Sequence, residues 1–248
     1  MNRFIIVVPF YNVEQWIKTC LSSVKKQTYK KFICVVIDDI STDKSSLIIE
    51  KFIQDDDRFI FVKNTEKKYA LRNIYDGILN SNPFDEDIII TLDGDDWFAD
   101  ENVLNILNSY YNDENCYMTY GSYKEFPSNI IGKYSRQIPE EVIQNNNYRN
   151  YQWCSSHLRS FKYKIWKKIN KQDLLDTNGQ FYKMTWDLAM MFPMLEMCGN
   201  KAKYVKEVLY VYNLNNPIND HKVDSGLQVR LEMEIRGKKK YNLFREIT

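Results

Sequence analysis

Cysteine is sparse in these 248 residues: Cys20, Cys34, Cys116, Cys154 and Cys198 are scattered, odd in number and form no CxxC pair. That excludes a disulfide framework and predicts reduced thiols, mostly core filler, in a cytoplasmic protein. Glycine is scarce too. There are eight, none before Gly77, so the Gly-rich N-terminal phosphate loop that a nucleotidyltransferase would want is missing. Neither sign of charge dominates: 34 Lys+Arg stand against 33 Asp+Glu, a net charge of +1. No global field therefore draws the chain to nucleic acid or to an anionic membrane. The longest apolar runs, Phe4 to Pro9 and Ile88 to Ile90, fall far short of the ~20 residues of a transmembrane helix. The first of them ends in Pro9-Phe10-Tyr11-Asn12 without a small-residue cleavage site, so no secretory leader is expected.

What is present reads as a folded chain. Hydrophobic residues make up 44% and charged residues 27%, enough to bury a core in one large or two small domains. The first half alternates β-rich runs with amphipathic stretches, the pattern of an α/β domain with a largely parallel sheet. Strands are predicted at Phe4 to Val8, Phe32 to Ile37, Phe59 to Val62, Ile88 to Leu92 and Cys116 to Tyr120. Helices are predicted between them, on the stripes Val13 to Val24, Leu47 to Ile53, Ala70 to Leu79 and Val103 to Tyr110. After about Gly121 the alternation fades into a polar stretch, read as a long loop or flap through Asn145-Asn146-Asn147. Helices are predicted again at Phe161 to Ile169 and Thr185 to Met197, a β-rich run at Ala202 to Tyr212, and a helical tail from Leu227 to Phe244. Its basic run, Arg236 to Tyr241, reads either as a solvated helix face or as a peripheral membrane contact.

The chemistry concentrates at strand ends. Asp93-Gly94-Asp95-Asp96 follows a buried strand, and carboxylates so close raise one another's pKa unless a cation sits among them. Oxygen ligands of this kind suit Mg²⁺, Mn²⁺ or Ca²⁺; an acidic turn opening a helix is the plainer alternative. Asp38-Asp39-Ile40-Ser41-Thr42-Asp43 ends another strand. There Asp39 could accept from a base or sugar, while Ser41 and Asp43 suit helix capping. Pro9-Phe10-Tyr11-Asn12 closes the first strand and offers Tyr11 as a stacking platform at the same edge.

In order and approximate spacing, these segments together with Arg72-Asn73 and Leu92 to Trp97 resemble the family 2 glycosyltransferases over roughly the first 120 residues. The later half matches more loosely, through Trp186-Asp187 and Leu209 to Tyr212. The resemblance implies a GT-A (Rossmann-like) α/β fold, with a mostly parallel central sheet flanked by helices and a C-terminal acceptor-side helical extension. Residues 1–248 would then be one domain, with a nucleotide-sugar half at 1–121 and an acceptor-side half with the C-terminal helix at 122–248. It also implies inverting transfer of one sugar from a nucleotide-diphosphate sugar, UDP-linked by expectation, to a hydroxyl of a glycan, glycolipid or protein.

Carried over residue by residue, Pro9, Tyr11 and Asp39 would hold the nucleobase, and Arg72 a base carbonyl or a phosphate. Asp93 and Asp95 match the pair that holds Mn²⁺ or Mg²⁺ against the diphosphate, with Asp95 the direct ligand and Asp93 on the ribose or a metal-bound water. Asp187 matches the base, or is an acid favoured by a helix N-terminus. His221 is a third metal ligand or an exposed loop histidine. His157 and Arg159 would orient the diphosphate or the acceptor. Trp153 and Trp186 are sugar platforms or core. Two departures stand out: Ile40 occupies the usual glycine position, and Tyr212-Asn213-Leu214-Asn215 lacks the usual C-terminal histidine. The retained Asp95 and Asp187 argue against a sugar-nucleotide-binding domain without catalysis. An aspartyl phosphohydrolase would want its acidic motif on the first strand.

Overall fold

The computed structural model describes residues 1–217 and 224–245. Eight strands, β1 Phe4–Phe10, β2 Phe32–Asp38, β3 Phe59–Lys63, β4 Ile88–Thr91, β5 Trp97–Phe98, β6 Met118–Phe126, β7 Arg159–Lys162 and β8 Ala202–Asn213, form one sheet in the order β3-β2-β1-β4-β7-β6-β8-β5. The helices are α1 Ile17–Lys25, α2 Ser45–Ile53, α3 Tyr69–Asn80, α4 Val103–Tyr111, α5 Glu140–Gln144, α6 Tyr163–Trp166, α7 Trp186–Cys198 and α8 Ser225–Gly237.

The first four strands in the sheet order run parallel. Such strands are covered on both faces, which is why β1 is apolar at every position. Ile5 and Val7 pack with Leu71, Ile74 and Ile78 of α3 on one side; Ile6 and Val8 pack with Ile17, Leu21 and Val24 of α1 on the other. Gly77 lets α3 lie close to the sheet, since a Cβ there would sit 2.7 Å from Ile37 Cδ1 and 2.9 Å from Val7 Cγ1. Parallel strands with helical crossovers bring the carboxyl ends of β1, β2 and β4 to one edge, and ligand sites form at such edges. All five cysteines are free and buried. Burial pushes their thiols up, Cys116 to about 12.

Beyond β4 the sheet is mixed. β7 runs antiparallel to both β4 and β6, while β6 and β8 are parallel. The predicted helix over Phe161 to Ile169 is thus corrected: its first residues belong to β7, and α6 keeps only Tyr163–Trp166. The reason is a vacancy in the sheet between β4 and β6. Phe161 fills it opposite Ile89 and Met118, and the buried Ser160 hydroxyl is met by Tyr111 at 2.8 Å and Thr119 at 2.5 Å. The predicted flap is also shorter, because β6 runs on to Phe126 along β8 and α5 follows.

The tail helix α8 starts where Asp224 Oδ1 accepts from the Leu227 amide at 2.9 Å and ends at Gly237, short of Phe244. A buried ion pair fixes it: Arg149 meets Glu196 of α7 and donates to Ile235 O at 2.6 Å. In the basic run, Lys238 Nζ donates to Leu175 O at 2.6 Å and Lys240 Nζ to Asn146 O at 2.7 Å, while Lys239 and Lys240 stay exposed. Among the described residues, no helix is long and apolar enough to cross a membrane.

Candidate active site

A cleft of about 490 Å³ opens at the carboxyl edge of the sheet, lined by residues of the β1, β2 and β4 loops, the approach to α3, and the start of α7. A wider groove of about 1190 Å³ lies among α1, α2 and the start of α4, but none of Asp39, Asp93, Asp95 and Asp187 lines it.

The floor of the cleft is two loops tied to each other. The Asn12 amide donates to Ser41 Oγ at 3.0 Å, the Glu14 amide to Asp43 Oδ2 at 2.9 Å, and the Thr42 amide back to Asn12 Oδ1 at 2.8 Å. Asp43 also accepts from the Ser45 amide at 2.9 Å, a turn bond one residue ahead of the N-cap Lys44, and α2 has no side-chain cap, which corrects the capping expectation for Ser41 and Asp43. Between these bonds Ile40 takes a left-handed conformation, φ 61°, which a β-branched residue adopts only under strain. Ile40→Gly removes that strain, offset in part by the greater freedom of glycine when unfolded. It is expected to stabilise the chain by about 1 kcal/mol in denaturant titrations; a loss of stability would contradict the strain argument.

Asp39 is buried, and its carboxylate organises the approach to α3. It accepts from the Lys68 amide at 2.8 Å, the Tyr69 amide at 2.9 Å and Asn64 Nδ2 at 3.0 Å, and pairs with Lys67 Nζ at 3.4 Å. Burial works against the charge, but the hydrogen bonds, the Lys68 amide foremost, hold the carboxyl below its ordinary value. A carboxylate with a lowered native pKa stabilises the fold above the ordinary carboxylate range, and that contribution disappears as pH falls through the native value. Asp39→Asn turns a two-oxygen acceptor into one oxygen and an NH₂ facing two amide donors. A loss of about 1.5–3 kcal/mol is expected near neutral pH, shrinking below about pH 4, by urea unfolding across pH.

The Asp93–Asp96 turn depends on Gly94, where a Cβ would lie 2.5 Å from Phe10 Cβ. The three acids part ways in it. Asp96 is fully buried and structural: Tyr210 OH donates to Oδ2 at 2.6 Å and the Asn213 amide to Oδ1 at 2.7 Å, tying the end of β8 to the turn. Burial, then Asp95 and Asp93, push its carboxyl well up. All three acids border the cleft, but Asp96 has both oxygens taken by Tyr210 and Asn213. Burial raises Asp95 as well, opposed by Asn216 Nδ2, which donates to its Oδ2 at 2.7 Å. Two hard carboxylates suit Mg²⁺ or Mn²⁺ that completes its shell with water and phosphate oxygens. Among the described residues no group of three or more His, Cys, Asp or Glu is placed to hold a metal ion. His221 lies outside the described residues.

Asp187 sits in the first turn of α7 and accepts from Arg159 Nη2 at 2.9 Å. Thr185 precedes the helix in a left-handed conformation and makes no side-chain cap, while Asp187 is the acid of the first turn, a place that a helix N-terminus favours. Arg159 is itself buried, its guanidinium 5.3 Å from the Trp186 ring, and Nη2 also reaches His157 Nε2 at 3.3 Å. Arginine can only donate, so Nε2 accepts and the imidazole proton belongs on Nδ1. Burial first, then Arg159, drive the His157 pKa well below its ordinary value. The ring stacks 4.3 Å from Tyr210, a neutral spacer that lines the cleft wall.

The cleft thus brings together Pro9, Tyr11, Asp39, Asp93, Asp95, His157, Arg159, Trp186 and Asp187. It does not bring Arg72, whose Nε donates to Asp76 at 2.9 Å one helical turn on, with the guanidinium over Phe181. The cations that line the cleft are Lys67, Lys183 and Arg159. Trp153 packs edge-on against Phe192 and is not a lining residue. Sequence reading missed Lys67, Asn64, Lys183 and Asn216. The only signal for the first two was their place just before α3, at the edge where the acids gather.

A helix-flanked sheet whose parallel half brings Tyr11, the buried Asp39 and the Asp93–Asp96 turn to one edge has the architecture of the GT-A class of fold. The comparisons agree. The Glycosyl transferase family 2 model matches residues 5–175, and the chain belongs to that family. GlyA, a glycosyltransferase of Streptococcus pneumoniae, is 26% identical over 222 residues, 86% of this chain and 31% of GlyA. Staphylococcus aureus TarS in complex with UDP-GlcNAc superposes with a TM-score of 0.63 at 16% identity, over 90% of this chain and 61% of that one. The mannosyltransferase PcManGT of Pyrobaculum calidifontis, in complex with GDP-Man and Mn²⁺, gives 0.55 at 18% identity, over 84% and 56%. The chain therefore spans about a third of GlyA's length.

Proposed function

We propose that the chain is an inverting, metal-assisted glycosyltransferase of glycan biosynthesis, acting as one domain over residues 1–248. It moves one sugar from a nucleotide-diphosphate sugar, UDP-linked by preference, to a hydroxyl acceptor. The observation that carries this reading is the meeting in one cleft of Tyr11, Asp39, Asp93, Asp95 and Asp187, the last held by Arg159. The nucleobase lies on Tyr11 with an N–H toward Asp39, and the diphosphate runs past Asp93 and Asp95. Those two would hold Mn²⁺ or Mg²⁺, which when bound would supply a Lewis acid to neutralise charge on the departing diphosphate.

Asp187 takes the proton of the acceptor hydroxyl as that oxygen attacks the anomeric carbon from the face opposite the leaving group. One C–O bond forms as the other breaks, which inverts the anomeric centre. Arg159 fixes the carboxylate that does this and keeps its charge compensated. Trp186, beside them, offers a face to the sugar. TarS bound to UDP-GlcNAc and PcManGT bound to GDP-Man and Mn²⁺ support the donor class and the cation.

Thermal shift across nucleotide sugars with Mn²⁺ tests the donor. One nucleotide class should raise Tm progressively with concentration, since a ligand bound only to the native state stabilises it by mass action. No shift with any donor would remove the proposed function.

A further inference from the structure

Lys67 occupies the place where the nucleobase would lie. Its Nζ stands 2.9 Å from the centroid of the Tyr11 ring, 3.3 Å from Asp39 O and 3.4 Å from Asp39 Oδ2. The ring face and the carboxylate are the two features a base would use, one to stack and one to accept an N–H. A carboxylate offers about four acceptor sites, and the Asp39 carboxylate already meets four donors: the Lys68 and Tyr69 amides, Asn64 Nδ2 and Lys67 Nζ. Three of these are fixed. Two are backbone amides, and Asn64 Nδ2 is held by a further bond to Asn73 Oδ1 at 2.7 Å. Tyr69, whose amide makes one of these bonds, is in a left-handed conformation, φ 62°. Lys67 is the exception, making the longest contact through a flexible four-carbon stem whose side chain is 29% exposed.

We infer that Lys67 is a gate on the base subsite, a built-in competitor that must leave Tyr11 and Asp39 before a base with an edge N–H can bind there. The inference rests on the nucleobase reading of the cleft given above. It gives the chain a specificity element. A base that only stacks recovers the ring contact, whereas one that also donates an N–H replaces the lysine at Asp39 and recovers both. The swing costs the free protein one partly exposed ion pair, one hydrogen bond to Asp39 O and one cation–π contact, each modest.

The test uses uridine, which has the base but no phosphate and so isolates this step, with affinity read by ligand-observed NMR. Lys67→Met keeps the stem and removes the charge. It should tighten uridine about three- to thirtyfold, the loss of those competing contacts, while Lys67→Arg should not. Adding Tyr11→Ala to Lys67→Met should reverse the gain, because the freed ring is then missing. Tyr11 is 36% exposed, so this change leaves the core intact. If Lys67→Met leaves uridine binding unchanged or weakens it, while Tyr11→Ala in that background still reduces it, the gate is wrong and the base subsite stands. If Tyr11→Ala changes nothing in that background, the base subsite itself falls, and the gate with it.

Discussion

Asp187→Asn is expected to lower sugar transfer by about 10²–10⁴-fold while changing donor affinity less than twofold. The magnitude is that of removing a positioned general base. Asparagine matches aspartate in shape and can still accept from Arg159 Nη2, now 2.9 Å from Oδ2, so the start of α7 keeps its place. What it cannot do is take a proton. The split between rate and affinity decides the matter, because a merely structural role for Asp187 would disturb both, through Arg159 and the His157 stack. Single-turnover kinetics beside equilibrium donor binding measures the two separately. An unimpaired rate would return Asp187 to the role of a helix-terminus acid.

Asp95→Ala is expected to remove the dependence of donor affinity on divalent cation. In the intact chain, UDP should bind more tightly with Mn²⁺ than without by on the order of 10²-fold, the scale on which a metal compensates phosphate charge. In the variant the two affinities should converge. Titration calorimetry of UDP with Mn²⁺ and with chelator reads this without any turnover. Asp96→Ala should behave differently. Its two oxygens are taken by Tyr210 and the Asn213 amide, so its loss should loosen the end of β8 and reduce stability. A variant of Asp95 that retained the full Mn²⁺ effect would exclude it as a ligand.

The parallel half of the sheet was legible because both of its faces are buried. Continuous apolar runs such as Phe4–Phe10 and Ile88–Thr91 leave few alternatives to a covered strand. The acids at the ends of β2 and β4 were legible for the same reason, once the strands were fixed. β7 was not. Phe161, Ile165 and Trp166 space as well for a helix as for a four-residue strand followed by a turn of helix. What decides between them is the gap beside β4, which depends on strands remote in sequence.

The site divides along the same line. Asp39 was visible as a strand-end acid, but the saturation of its carboxylate by Asn64, Lys67, Lys68 and Tyr69 depends on a loop folding back over it. No local pattern encodes that. Arg72 illustrates the reverse case: the resemblance implies a donor contact for it, yet an i,i+4 partner at Asp76 takes its guanidinium. Asp96 looked like a third ligand-type acid in the sequence. Its structural task emerges only when β8 brings Tyr210 to it.

The central step proposed for this chain is displacement at an anomeric carbon with Asp187 as base. Its most direct measurement is proton NMR of the sugar released when the chain is incubated with its preferred α-linked nucleotide sugar and Mn²⁺, followed from the earliest times before mutarotation. The first sugar to appear should be the β anomer, with none above background in Asp187→Asn. First release of the α anomer, or equal release by the variant, would contradict the account.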